Sequence, residues 1–62
     1  MCLAKAYVSK DGEGRLFFEE VAKMVADGEE MVLYDLMGNK KSIRARLSLI
    51  DFMQSRIELE ED

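Results

Sequence analysis

Apolar and polar positions alternate with a period of two in several short stretches of this chain, and glycine-bearing turns separate the stretches. Ile43, Ala45, Leu47 and Leu49 alternate with Ser42, Arg44, Arg46 and Ser48, the pattern of a strand with one covered and one wet face. Arg56-Ile57-Glu58-Leu59-Glu60 repeats it as a closing strand. From Leu3 to Ser9, the larger Leu3, Lys5 and Tyr7 alternate with Ala4, Ala6 and Val8, which predicts an opening strand. Met31-Val32-Leu33-Tyr34 is a short β-type run. Turn signals fall at Lys10-Asp11-Gly12-Glu13-Gly14, Asp27-Gly28-Glu29, Gly38-Asn39 and Gln54-Ser55, a spacing typical of a small sandwich or barrel. Gly12 and Gly14 can supply the positive φ of a hairpin loop, and Gly38-Asn39 suits a two-residue reversal.

One segment fits two templates. Phe18, Val21, Ala22 and Val25 sit at i, i+3, i+4 and i+7, the stripe of an amphipathic helix, with Gly28 where a helix would end. The other template makes Val21 to Ala26 one arm of a hairpin that closes at Asp27-Gly28. Local propensity leans to the helix, since Ala, Glu, Lys and Met are good helix formers. Leu49 to Met53 is open in the same way, with room for a single helical turn.

Length and composition narrow the chemistry. The 62 residues make one domain, 1–62, whose core is marginal alone, so a partner subunit would help it. At 48 % hydrophobic residues the chain has the apolar content to fold. No apolar run approaches the length of a membrane span and no basic-then-apolar leader opens the chain, so a cytoplasmic protein is expected. One Cys and no His exclude an intrachain disulfide, an imidazole metal site and a histidine general base. Gly12-Glu13-Gly14 has Phe17 where a dinucleotide loop needs its third glycine, and the serines have no imidazole to activate them. Catalysis is therefore not expected.

Two constellations remain. Cys2 reads first as a small buried hydrophobe. Its position opens a second reading. A small second residue favours trimming of Met1, after which the Cys2 amine and thiolate form a five-membered chelate, with the Leu3 amide as a further donor. Thiolate with such nitrogens favours planar Ni(II) or Cu(II) over tetrahedral Zn. A two-fold dimer would bring two such ends together. The second constellation is Lys40, Lys41, Arg44 and Arg46, four cations within seven residues. They read either as phosphate contacts for an RNA-binding module or as the solvated face of an edge strand. A net charge of -4 weighs against nucleic acid. Tyr7, Phe17, Phe18, Tyr34 and Phe52 read as core residues, and Met24, Met31, Met37 and Met53 as core filler or interface.

Taken together, Met1-Cys2-Leu3-Ala4-Lys5-Ala6-Tyr7-Val8, the middle Glu20 to Glu29 and the ending Ile43 to Glu61 resemble the CooT family, also labelled as predicted RNA-binding proteins. The resemblance covers the whole chain. It implies an all-β SH3-like or Sm-like barrel of about six short strands, which turns the contested segment into strand. It also implies a homodimer that binds Ni(II) through Cys2 at the subunit interface, in nickel supply to carbon monoxide dehydrogenase.

Overall fold

A computed structural model describes residues 3–61. Six strands follow one another: β1 (Ala4–Lys10), β2 (Glu13–Val21), β3 (Lys23–Asp27), β4 (Glu30–Tyr34), β5 (Lys40–Asp51) and β6 (Arg56–Glu61). They form one six-stranded sheet in the order β2-β1-β6-β5-β4-β3. Neighbours are antiparallel except β1 and β6, which run parallel from Lys5↔Arg56 to Ser9↔Glu60. The twelve-residue β5 is shared: residues 40–44 pair with β4, and residues 45–51 pair with β6. The expected all-β, barrel-like fold of six strands is the one observed, with the sheet left open between β2 and β3.

Turn chemistry sets the hairpins. Asp11 (φ 53°) and Gly12 (φ 84°) lie between the paired Lys10 and Glu13. Positive φ at both central positions is what a type I′ turn requires, and Asp-Gly is a favoured pair for it. Gly14 has no such role and sits within β2, contrary to its expected place in the loop. The Gly38-Asn39 reversal is corrected as well. The chain turns over five residues, Asp35 to Asn39, gathered around one carboxylate. Asp35 Oδ1 accepts from the Met37 and Asn39 amides at 2.9 Å each, and Asp35 Oδ2 accepts from Asn39 Nδ2 at 3.0 Å. An Asp that satisfies backbone donors locally outcompetes a tight turn.

The helical stripe from Phe18 to Val25 belongs to a broken strand. Against β1 the register jumps twice, between Ala6↔Phe18 and Tyr7↔Leu16 and between Ala4↔Val21 and Ala6↔Phe18. Each jump inserts an extra β2 residue and turns the strand. At Ala22 the chain bends again, and its N–H donates to the Tyr34 carbonyl at 2.7 Å. The bulges let consecutive Phe17 and Phe18 both pack on the core, which a regular strand forbids.

The core is small and wholly aliphatic among the described residues: Ala6, Val8, Val21, Leu33, Ala45, Ile57 and Leu59. Phe17, Phe18, Met24, Met31 and Ile43 pack around it. In β1 the smaller set, Ala6 and Val8, faces inward, while Tyr7 lies outside beneath Arg56. A bulge at Ser48 breaks the alternation of β5: Leu47 pairs with Leu59, Leu49 with Glu58, and Ile50 with Ile57. Ile50 therefore takes the inward phase, and Leu49 joins the polar face. Leu49 to Asp51 finish β5, and the turn Phe52–Ser55 follows, seated on Asp51 Oδ1, which accepts from the Met53 and Gln54 amides at 2.9 and 3.1 Å.

Candidate functional site

Cys2, the expected metal ligand, lies outside the described residues. Its neighbourhood begins at Leu3. Two residues on, the Lys5 amide donates to the Ser55 carbonyl at 2.9 Å and ties the start of β1 to the turn before β6. Ser55 reaches that bond with φ 52°, in the left-handed region. Leu3, Lys5, Tyr7, Gln54, Ser55 and Arg56 border an open recess of about 270 Å³ here. A second recess of about 330 Å³ opens at this end of the barrel, lined by Ala4, Val21, Met24, Ile50, Phe52 and Ile57 among others. Phe52 is 87 % and Met53 97 % exposed. Phe52 was expected in the core; the five-residue reach from Asp51 to Arg56 lifts it out instead. Among the described residues no three of His, Cys, Asp or Glu gather as a metal site.

The outer face of β1 and β6 is held by charge. The Arg56 guanidinium stacks 3.9 Å from the Tyr7 ring centroid, and its Nε donates to Glu58 Oε2 at 2.7 Å. An arginine fork over an aromatic face fixes both side chains. On β3, the Lys23 ammonium lies 4.3 Å from the Tyr34 ring centroid.

The four cations do not form one patch. Lys40, Arg44 and Arg46 share a face of β5 by register. Lys41 pairs with the buried Leu33 and so takes the opposite face, where its Nζ donates to the Phe17 carbonyl at 3.4 Å. Arg44 pairs with Glu29 at 3.4 Å and Arg46 with Glu60 at 2.9 Å. Arg15 also lies 3.6 Å from Glu61. These exposed pairs add little stability, but carboxylates beside the guanidiniums lower the potential a phosphate would meet.

Sequence reasoning missed the carboxylate-seated loops. Asp35-Leu36-Met37 and Asp51-Phe52-Met53 share a device: Asp Oδ1 holds the amide of the Met two residues on at 2.9 Å, and two large apolar side chains face solvent. The repeated Asp-apolar-Met spacing was the available signal. The Asn39 side-chain amide, then the backbone amides of the loop, hold the Asp35 carboxyl below its ordinary value.

Fold and surface together define a small, open all-β domain whose charged and exposed apolar groups lie on its outside and at its strand ends. The family model described as CO dehydrogenase accessory protein CooT matches residues 1–60, and the chain belongs to the CooT family. Among solved structures, a crystal structure assigned to CooT from Carboxydothermus hydrogenoformans is similar. It is 30 % identical with a TM-score of 0.87, and the match covers 98 % of each chain. No curated protein matches. No helix among the described residues is long and apolar enough to cross a membrane.

Proposed function

We propose that this protein is a nickel-binding accessory factor for carbon monoxide dehydrogenase maturation, a metallochaperone or nickel buffer working in the cytoplasm as a homodimer. The observation that carries the reading is the family match, which runs from residue 1 and so includes Cys2. Cys2 is the single thiol of a chain with no imidazole. Once Met1 is trimmed, thiolate and amine of one residue form a chelate ring, and two chains supply two sulfurs and two nitrogens. That donor set suits planar Ni(II). Nickel is then cargo: it is taken up where ligands lose protons and given up where they regain them. The role is delivery, with no reaction catalysed by the chain.

The test is Ni(II) titration followed in the near ultraviolet, with native mass spectrometry for stoichiometry. The reading expects a thiolate-to-nickel charge-transfer band, one Ni(II) per dimer, and loss of both in Cys2→Ala. Binding weakens as pH falls, and residues added before Cys2 change it by blocking the amine. A band that survives Cys2→Ala overturns the assignment. The alternative of an RNA-binding module using Lys40, Lys41, Arg44 and Arg46 gains no support from their placement on two faces with carboxylate partners.

A further inference from the structure

The two recesses beside the start of β1 share a wall. Ser55 and Arg56 line both, yet the hollows differ in chemistry. One is lined by apolar Ala4, Val21, Met24, Ile50 and Ile57, with the exposed Phe52 beside them. The other is polar, with Lys5, Tyr7 and Gln54 next to Ser55. Three cations, Lys5, Lys23 and Arg56, lie on the two linings. Asp51 is the one carboxylate there among the described residues, and its Oδ1 is engaged by the Met53 and Gln54 amides. Glu19 and Glu20 on β2 belong to neither lining. Lys5 and Lys23 make no ion pair among the described residues. Arg56 is stacked on Tyr7 and bonds Glu58 through Nε, which fixes its fork and leaves the Nη atoms for another acceptor. This excess of positive charge is local. The whole chain carries -4, and the recess of about 720 Å³ at the far end sets two glutamates against its two arginines.

We propose that the joined recesses are a docking site for a segment of a partner protein that carries a large apolar side chain beside one or two carboxylates. The apolar side chain enters the hollow of Met24, Ile50 and Ile57 and is covered by Phe52. The carboxylates meet Arg56, with Lys5 and Lys23 to either side. Openness of both hollows, and an aromatic ring and an arginine at their border, suit a protein surface better than an enclosed small molecule. The site lies where β1 begins, at the residues that follow Cys2 in sequence. In the delivery reading it therefore orients the nickel recipient toward the thiol-bearing end. That meaning rests on the delivery reading; the contact itself needs no metal.

An amide NMR titration of the metal-free full chain with the blocked pentapeptide Gly-Asp-Leu-Asp-Gly tests it. Saturable shifts are expected at Lys5, Lys23 and from Ile50 to Ile57, and none with Gly-Lys-Leu-Lys-Gly. Replacing the peptide leucine by glycine, or Phe52→Ser in the protein, weakens binding several-fold. Lys5→Glu/Lys23→Glu weakens it by about tenfold or more and transfers the preference to the lysine peptide. Both lysines are exposed, so this exchange leaves the fold intact and decides the matter by itself. Cys2→Ala leaves peptide binding unchanged while removing the nickel band, so the two readings fail separately. Absence of saturable shifts, equal shifts from both charged peptides, or shifts centred on Arg44 and Arg46 overturn the proposal. So do shifts at the recess that follow protein dilution and ignore the peptide, which assign this face to a contact between copies.

Discussion

β6 and the second half of β5 are direct neighbours with similar residues and opposite fates. Leu59 is fully buried, while its cross-strand partner Leu47 is 43 % exposed. Ile57 is 8 % exposed and its partner Ile50 is 42 % exposed. The difference lies in the neighbours. β6 has β1 on one side and β5 on the other, but residues 45–51 of β5 have β6 alone, because β4 pairs only with residues 40–44. A side chain can face the core and still stand in water when its strand is an edge. Apolar character in β6 holds the fold together; in the second half of β5 much of it, at Leu47, Leu49 and Ile50, stays on the surface.

Truncation separates the two roles most sharply. Leu59→Ala should cost about 2–5 kcal/mol, a large share of the roughly 3–9 kcal/mol expected of a domain this size. Leu47→Ala should cost about 1 kcal/mol or less. Urea midpoints of the two variants make the comparison, and equal losses would show that the β5 limb is as much a part of the core as β6. Ser55→Gly, at the turn between the two strands, should raise stability by about 0.5–1 kcal/mol by relieving a left-handed non-glycine residue. A lower midpoint would mean that the Ser55 side chain contributes more than its backbone conformation costs.

The smallest effect concerns Asp35, at the other end of β5. Its carboxyl has a lower pKa folded than unfolded, so folding favours the charged form. The loop's support is complete above the ordinary value of 3.8 and is lost as pH falls through the lowered one. A urea midpoint that declines with acid in this window for the parent, and declines less for Asp35→Asn, is the expected result. Parallel declines would assign the acid sensitivity to other carboxylates.

Four strands were legible from local pattern: β1, most of β5 and β6 by their alternation, and β4 as a short run of β-favouring residues. The stripe of Phe18, Val21, Ala22 and Val25 misled because two bulges and the bend at Ala22 shift the phase of a strand. A strand that gains a residue at intervals mimics the spacing of a helix. Leu49 was misplaced for the same reason, one bulge at Ser48. Bulges answer to the partner strand, which local pattern does not include. In the candidate site, Cys2 stood out by position and chemistry, independent of any packing. The cation group was visible as a run, but its division between two faces and its carboxylate partners depend on pairing across 14 to 24 residues.

The place of β6 in the sheet also governs when this protein can fold. It is the last of the six strands to be synthesised, yet it lies third in the sheet and joins β1 to β5. Until it leaves the ribosome, the chain consists of a β1–β2 hairpin and a β3–β4–β5 meander with no seam between them. Two such fragments are too small to be stable alone. Folding therefore waits until β6 has been synthesised. A chain stopped before Arg56 would lack the strand that joins its halves, so ribosomal stalling there yields material for proteolysis in place of a weakened accessory protein.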